Sequence, residues 1–328
     1  MQKTTLSLAL LAAITLPQVH AQTQQNNTTL SGYLDLGIWR QFNTRGLAMS
    51  TIQRSSVTLS GVEDLGNGNQ AIYTLQTRFD ANTGSLEGPG KPFWHGEATV
   101  GLRGSWGTLR MGRALDALWA QDWRFDAWGN FNRIASPAWY LWHGLLPTDR
   151  VSNSGNAEYG RTNNGVFYDS PNFDGASVHL SASPQRTDGP NNGRAGAASV
   201  VYDKDGWGAM AAVDRNGSHD KGYFLAGKVP LGEVSLMLAH DVSRAYTGEK
   251  ATAHTVSASY TQGAAAFKLG YGRMRFAAGG AKTTTHFYSA GAEYNLSKRT
   301  LAYISAGRLR PGGGDASTAY GVGMAHAF

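Results

Sequence analysis

Residues 30–39, LSGYLDLGIW, alternate without a break. Leu30, Gly32, Leu34, Leu36 and Ile38 fall on one side, and Ser31, Tyr33, Asp35, Gly37 and Trp39 on the other. A period of two over this length is a strand with one apolar and one polar face. The pattern recurs downstream. Val57, Leu59 and Gly61 oppose Ser56, Thr58 and Ser60, and a Gly- and Asn-rich turn follows at 63–69 (EDLGNGN). The next strand sets Ala71, Tyr73, Leu75 and Phe79 against Gln70, Thr74, Gln76 and Arg78. Two more flank the turn Gly104–Gly107, one carrying Ala98, Val100 and Leu102 against Thr99, Gly101 and Arg103, the other Leu109 and Met111 against Thr108, Arg110 and Gly112.

After residue 163 the alternation resumes, near 164–169, 175–183, 196–203, 206–214, 221–229, 232–243, 251–260, 264–275, 283–294, 299–308 and 318–328. With the five earlier segments that makes sixteen strands. Their connections alternate between short turns, such as 169–175 (DSPNFDG), and longer loops, such as 81–95, 184–195 and 309–317. An antiparallel meander with short turns at one end and long loops at the other is the pattern of an outer-membrane β-barrel. An even strand number puts both chain ends on the periplasmic side, where the last strand can pair with the first and leave no open edge. Aromatic residues near strand ends, Trp39, Phe79, Tyr223, Tyr288 and Tyr294, are expected at the lipid–water boundary. The competing fold is a soluble all-β sandwich, which alternation alone also describes.

The bulk composition agrees with the barrel. The opening MQKTTLSLALLAAITLPQVHA has a basic start at Lys3, an apolar core from Leu6 to Leu16 and a small-residue end, so residues 1–21 are expected to be a signal peptide cut after Ala21. The remainder, 22–328, is then one exported domain. It has no cysteine, which excludes disulfides and thiolate chemistry. Mean hydropathy is mildly negative and no window reaches the ~20 apolar residues of a membrane helix. Glycine nevertheless reaches 42 of 328 residues, aromatics 11% and charged residues only 16%. A barrel hides its lipid face in every second residue, so hydropathy averages miss it. The net charge of +6, spread without a Lys/Arg run, does not suggest a nucleic-acid partner.

One stretch breaks the rhythm. Residues 114–163 show no sustained alternation and carry five of the nine tryptophans: Trp119, Trp123, Trp128, Trp139 and Trp142. A loop so long is usually functional. Inside a barrel it goes outward as a cap or inward as a constriction.

The segments SGYLDLGI, 55–80 (SSVTLSGVEDLGNGNQAIYTLQTRFD), 100–113 (VGLRGSWGTLRMGR), FYDSPNFDG, 292–304 (AEYNLSKRTLAYI) and the ending YGVGMAHAF, in this order, resemble the trimeric general porins of Gram-negative bacteria, in their neisserial and β-proteobacterial branch. The resemblance implies a sixteen-stranded transmembrane antiparallel barrel, a homotrimer in contact with outer-membrane lipid and lipopolysaccharide, and a third external loop folded into the lumen, here 114–163. It also implies a second external loop, 81–95, reaching toward a neighbouring subunit. Two features depart from the family. Its basic residues on the inner face of the second, sixth and last strands correspond here to Ser56 and Ser60, Phe167, and Ala325 and Ala327. The acidic Pro-Glu-Phe-Gly signature of its constriction loop is replaced by tryptophans.

A porin performs no reaction; the width and charge of its opening set what passes. For the basic wall of the constriction the inward residues Arg78, Arg103 and Arg110 stand out, with Arg113 at the loop's root; opposite them the loop offers Asp116, Asp122 and Asp126. Basic wall against acidic loop makes a transverse field. The plainer reading is that these residues pair to hold the loop in place. Likewise Trp119, Trp123 and Trp128 either line the path or pack the loop onto the wall. Lys228 and Lys268 add a weak lean toward anions. The nominal GxGxxA at Gly66, Gly68 and Ala71 precedes a strand and is a turn. Nine histidines show no metal spacing, and no cofactor is implied. The functions in play are a passive pore for small hydrophilic solutes and ions, a solute-specific channel with an aromatic constriction, and a barrel hydrolase whose Ser-His-Asp grouping sequence alone leaves open.

Overall fold

The computed structural model describes residues 27–88, 90–143, 160–184 and 193–328. The expected signal peptide and part of the long loop lie outside them. Among the described residues one antiparallel sheet closes on itself. Its wall strands are β1 (Asn27–Arg40), β2 (Ser55–Gly66), β3 (Asn69–Phe79), β4 (Glu97–Gly104), β5 (Gly107–Leu115), β6 (Arg161–Asp169), β7 (Ala176–Ala182) and β8 (Gly196–Lys204), followed by β9 (Trp207–Arg215), β10 (Lys221–Leu231), β11 (Val234–Arg244), β12 (Lys250–Gln262), β13 (Ala265–Ala278), β14 (Ala281–Asn295), β15 (Thr300–Arg310) and β16 (Ser317–Ala327). The three-residue strand Ala48–Ser50 pairs only at the rim, beside β1.

Each wall strand bonds to its sequence neighbours, and β1 bonds to β16 from Tyr33↔Ala327 to Arg40↔Tyr320. Phe328 completes the seam, its N–H donating to the Gly32 carbonyl at 3.0 Å and its carbonyl accepting from the Gly32 N–H at 2.9 Å. Closure satisfies the backbone groups that hydrocarbon cannot.

The alternation of residues 30–39 is realised: Leu30, Leu34 and Ile38 are exposed on the outside, whereas Asp35 and Trp39 are buried within. Trp39 therefore corrects the expectation that it lies at the lipid boundary. Its parity sends it inward, where its indole N–H donates to Ser50 Oγ at 2.6 Å and its ring packs with Ile52. Tyr223, Tyr288 and Tyr294 do face outward and are exposed. The β2–β3 turn uses Asn67 (φ 52°) and Gly68 (φ 75°), the left-handed pair that a two-residue hairpin requires.

The tightly packed apolar groups lie inside the cylinder. In one cluster Leu118, Phe125, Leu141 and Trp142 of the 115–161 connection meet Met210, Phe224 and Phe287 of the wall; in the other Trp128, Ile134 and Ala135 meet Trp39, Ile52 and Tyr303. The long loop is thus packed onto the inner wall, not laid over the mouth.

Candidate functional site

The loop leaves β5 and runs along the inner wall, handed from strand to strand by small polar side chains. The Ala117 N–H donates to Ser181 Oγ of β7 (3.0 Å), and Ser199 of β8 donates back to the Ala117 carbonyl (2.7 Å). Further on, the Ala127 N–H donates to Ser257 Oγ of β12, Asn132 Nδ2 to Ser305 Oγ of β15, and the Arg133 N–H to the Ile52 carbonyl, each at 3.0 Å. The path crosses the lumen from β7 to the β1–β2 rim. It holds a 3₁₀ turn, Asp122–Phe125, and a short helix, Pro137–Leu141, which Ser136 caps by accepting from the Trp139 N–H. Glycines make the approach possible. A Cβ on Gly272 would stand 2.2 Å from Leu141 Cδ1, and one on Gly307 2.0 Å from the Ile134 carbonyl oxygen.

The three loop aspartates are buried, and of them only Asp122 borders the cavity between loop and wall. Asp116 Oδ1 accepts from the Leu118 and Trp119 N–H groups at 2.8 and 3.0 Å. Asp126 Oδ2 accepts from the Trp128 and Asn130 N–H groups and from Ser136 Oγ, at 3.1, 2.9 and 2.9 Å. Asp122 faces His143, whose Nε2 lies 3.2 Å from it while Nδ1 lies 2.6 Å from Asp241 of β11. Burial pushes all three carboxyls up, that of Asp126 to about 6. Burial alone would lower His143; the carboxylates of Asp241 and Asp122 outweigh it and raise it well above the usual histidine range. A protonated His143 thus clamps the loop to the wall.

Where the loop passes opposite β2, β3 and β6, it leaves a cavity of about 250 Å³ lined by Arg54, Arg78 and Arg161 on one side and by Trp123, Phe131, Trp139 and Tyr140 on the other. The Arg54 guanidinium sits 4.6 Å over the Trp139 ring and 5.9 Å from that of Phe131. Arg133, 5.7 Å from the centroid of the Trp139 ring, is paired with Glu87 and, at 3.8 Å, with Asp80.

The wall closes as a barrel around an inward third loop, and a family model described as Gram-negative porin matches residues 7–314. The chain belongs to the Gram-negative porin family. It is 27% identical over 306 residues to the major outer membrane protein P.IB of Neisseria meningitidis serogroup B, covering 84% of this chain and 83% of that protein. The P.IB protein of Neisseria gonorrhoeae is also 27% identical, over 311 residues and 84% of each chain. Among solved structures, an anion-selective porin from Comamonas acidovorans has the same fold, with a TM-score of 0.77, 22% identity and coverage of 93% and 100%. OmpF of Salmonella typhi, in complex with daunomycin, has a TM-score of 0.71 at 15% identity, covering 92% of this chain and 98% of that one. As a porin the chain is an outer-membrane channel for passive diffusion.

Within the porin, the residues expected at the constriction divide. Arg78 lines the cavity. Arg113 is buried at the loop's root, its Nε donating to the His95 carbonyl at 3.1 Å. Arg103 lies one residue from the short turn after β4 and is exposed at the periplasmic mouth, away from the loop. Arg110 faces the lumen wall, where Glu97 (2.6 Å) and Asp169 (3.2 Å) neutralise it. Lys228 and Lys268 are matched in the same way by Asp203 and Glu293, at 3.2 and 2.6 Å. A field between Arg110 and the loop aspartates is therefore not built.

The tryptophans divide too. Trp128 and Trp142 are buried against the wall, Trp142 donating to Thr255 Oγ1 at 3.1 Å while also bordering the cavity. Trp123 and Trp139 line the cavity, and Trp119 does so in part, with its ring 4.7 Å from that of His143.

Arg54, Arg133 and Arg161 did not stand out in the sequence. Arg54 lies just ahead of β2 and shares the parity of Ser56 and Ser60; Arg161 opens β6, separated from Phe167 by a bulge at which the register shifts by one residue. Both arginines thus stand at the external ends of the two strands on which the resemblance expects basic residues. Parity extended by one residue from Ser55 finds Arg54, whereas the bulge hides the face of Arg161. The second external loop differs from expectation in part. Glu87 turns inward to Arg133 of the third loop, while Phe93 remains 58% exposed.

Proposed function

We propose that this porin passes small hydrophilic solutes and ions with a weak preference for anions, through a constriction formed by Arg54, Arg78 and Arg161 with Trp119, Trp123 and Trp139, and with Arg113 behind it at the loop's root. The observation that carries the reading is asymmetry. Three arginines line the cavity, Arg54 with Glu87 3.8 Å from its Nε, beside a single lining carboxylate, Asp122, which faces His143. Cations in a narrow, partly desolvated opening favour anion passage. Asp116, Asp122, Asp126 and Trp128 act in this reading by fixing the loop.

The active form is a homotrimer, the exposed Phe93 being suited to a subunit contact; a trimer form of OmpT of Vibrio cholerae shares the fold, with a TM-score of 0.67 and 10% identity. Residues 1–21 direct export and are removed, the wall is solvated by outer-membrane lipid and lipopolysaccharide, and the protein catalyses no reaction.

A narrower reading, a solute-specific channel, is favoured by the arginine–aromatic pairing at Trp139. A guanidinium beside a ring suits a solute with both a carboxylate and an aromatic face. Single-channel recording tests both. Open steps that benzoate blocks at saturable concentration, with block lost in Trp139→Ala, support the specific channel. Open steps without such block support the general pore. An electrically silent barrel that hydrolyses lipid or peptide overturns both.

A further inference from the structure

Along β7 the wall alternates: Val178 and Leu180 are exposed on the outside, so Ser177, His179 and Ser181 face the lumen. Ser181 receives the Ala117 N–H of the third loop. Ser177 and His179 have no part in the constriction. Their spacing of two puts them on one face, and the register sets His179 opposite Asp169, the last residue of β6. Three side chains join in a row. Ser177 Oγ lies 3.0 Å from His179 Nε2, and His179 Nδ1 lies 2.7 Å from Asp169 Oδ1.

The chemistry of the groups fixes who donates. A carboxylate only accepts, so His179 Nδ1 carries a proton; in the neutral ring Nε2 then bears a lone pair, and the Ser177 hydroxyl donates to it. Asp169 is held from its other side, with Arg110 Nη2 3.2 Å from Oδ2 and Glu97 2.6 Å from the same guanidinium. Gln121 of the third loop places Nε2 3.3 Å from His179 Nδ1. Its Oε1 accepts from Arg124 Nε and Nη2 at 3.1 and 3.0 Å, so it turns only N–H groups toward the ring and takes no proton from it. A hydroxyl, a base aimed at its proton and a carboxylate orienting that base are the arrangement that activates a serine. Thr300 and His326 also touch, at 2.8 Å, but among the described residues no carboxylate orients that ring. Ser177 and His179 are partly buried and not sealed, within reach of a solute in the pore.

We propose that Ser177 is a nucleophilic serine and a covalent modification site, taking an acyl or phosphonyl group from an activated electrophile small enough to enter the channel. Ser177 Oγ bonds to the carbonyl carbon or phosphorus, its proton passes to His179 Nε2, and the bond to the leaving group breaks. The leaving group departs with the electron pair of that bond and takes the proton from His179. His179 is the general base, and Asp169 is a positioning residue that holds its tautomer. Capture occurs once per chain, so it adds a modification to the channel and no catalytic cycle.

Assembled porin in neutral detergent is incubated with a small alkyl fluorophosphonate, and the adduct is followed by intact-protein and peptide mass spectrometry. The wild type is expected to gain one adduct per chain, at Ser177, and Ser177→Ala none. His179→Gln is expected to react on the order of a hundredfold more slowly. Asp169→Asn is expected to slow capture and Asp169→Glu to restore part of it. No adduct on the wild type, an adduct on another serine, or equal rates in wild type and His179→Gln overturns the proposal. Equal rates in wild type and Asp169→Asn overturn the role given to Asp169. Should the variants fail to assemble, the wild type decides alone: unfolding in urea is expected to abolish capture, and an unfolded chain that reacts as fast as the folded porin overturns the proposal. Conductance is scored separately, so its loss counts against the channel reading and leaves the serine to be judged on its adduct.

Discussion

His143 stands between Asp122 and Asp241 with both ring nitrogens engaged, in a site closed to solvent. Replacing it with alanine leaves two buried carboxylates without their cation, a change that costs ~3–5 kcal/mol. The His143→Ala porin is expected to unfold at lower temperature and to show noisier open-channel current; an unchanged melting curve would count against the clamp. The pH dependence follows from the same residues. The folded pKa of Asp126 is about 6, above the ordinary carboxyl value near 4, so the folded protein keeps a proton that the unfolded chain has released. Its contribution is full below pH ~4 and is lost as pH rises through about 6. His143, raised by its carboxylates, contributes fully below the ordinary histidine value of ~6.5 and loses that contribution as pH rises through its folded pKa. Both run in one direction, so the loop is held most firmly in mild acid. Protease cleavage within the loop is expected to increase from pH 4 to pH 7, and Asp126→Asn is expected to flatten the part of that rise below about pH 6.

The third loop and the wall that receives it are one design. Gly272 and Gly307 leave no room for a side chain beneath Leu141 and Ile134. Gly307→Val is expected to displace the loop at a cost of ~1–3 kcal/mol from overpacking. Far-UV circular dichroism should keep its β-signal while the single-channel conductance shifts; a mutant with wild-type conductance would mean that the loop does not set the pore. This element also marks how far the sequence could be read. Strand faces were legible because alternation is a local rule, so LSGYLDLGIW gave its inward Asp35 and outward Leu34 directly. Trp39 was misplaced when an aromatic at a strand end was weighed above its own parity. The loop has no period, and the direction of Asp116, Asp122 and Asp126 depends on backbone N–H groups that point at them only after the chain has turned. Arg54 sits just ahead of the residue at which its alternating segment begins, and a bulge separates Arg161 from the alternation of 165–169, so a local rule gives no face for it.

At the scale of the molecule, charge is sorted by surface. Lumen lysines and Arg110 are paired with wall carboxylates, loop carboxylates are sealed beneath the loop, and Arg54, Arg78 and Arg161 line the narrow cavity. Anion preference on this account arises at the constriction and not from the net charge of the chain. Arg54→Gln should therefore reduce it measurably, whereas Lys228→Gln, which leaves Asp203 paired with Arg124 at 3.6 Å, should reduce it less; equal effects would point to a diffuse origin. The most direct test is the zero-current potential of the wild-type channel in a planar bilayer across a potassium chloride gradient, recorded at low ionic strength where screening is weak. The account predicts stepwise openings and a potential whose sign shows chloride crossing more readily than potassium. A potential of the opposite sign would contradict it.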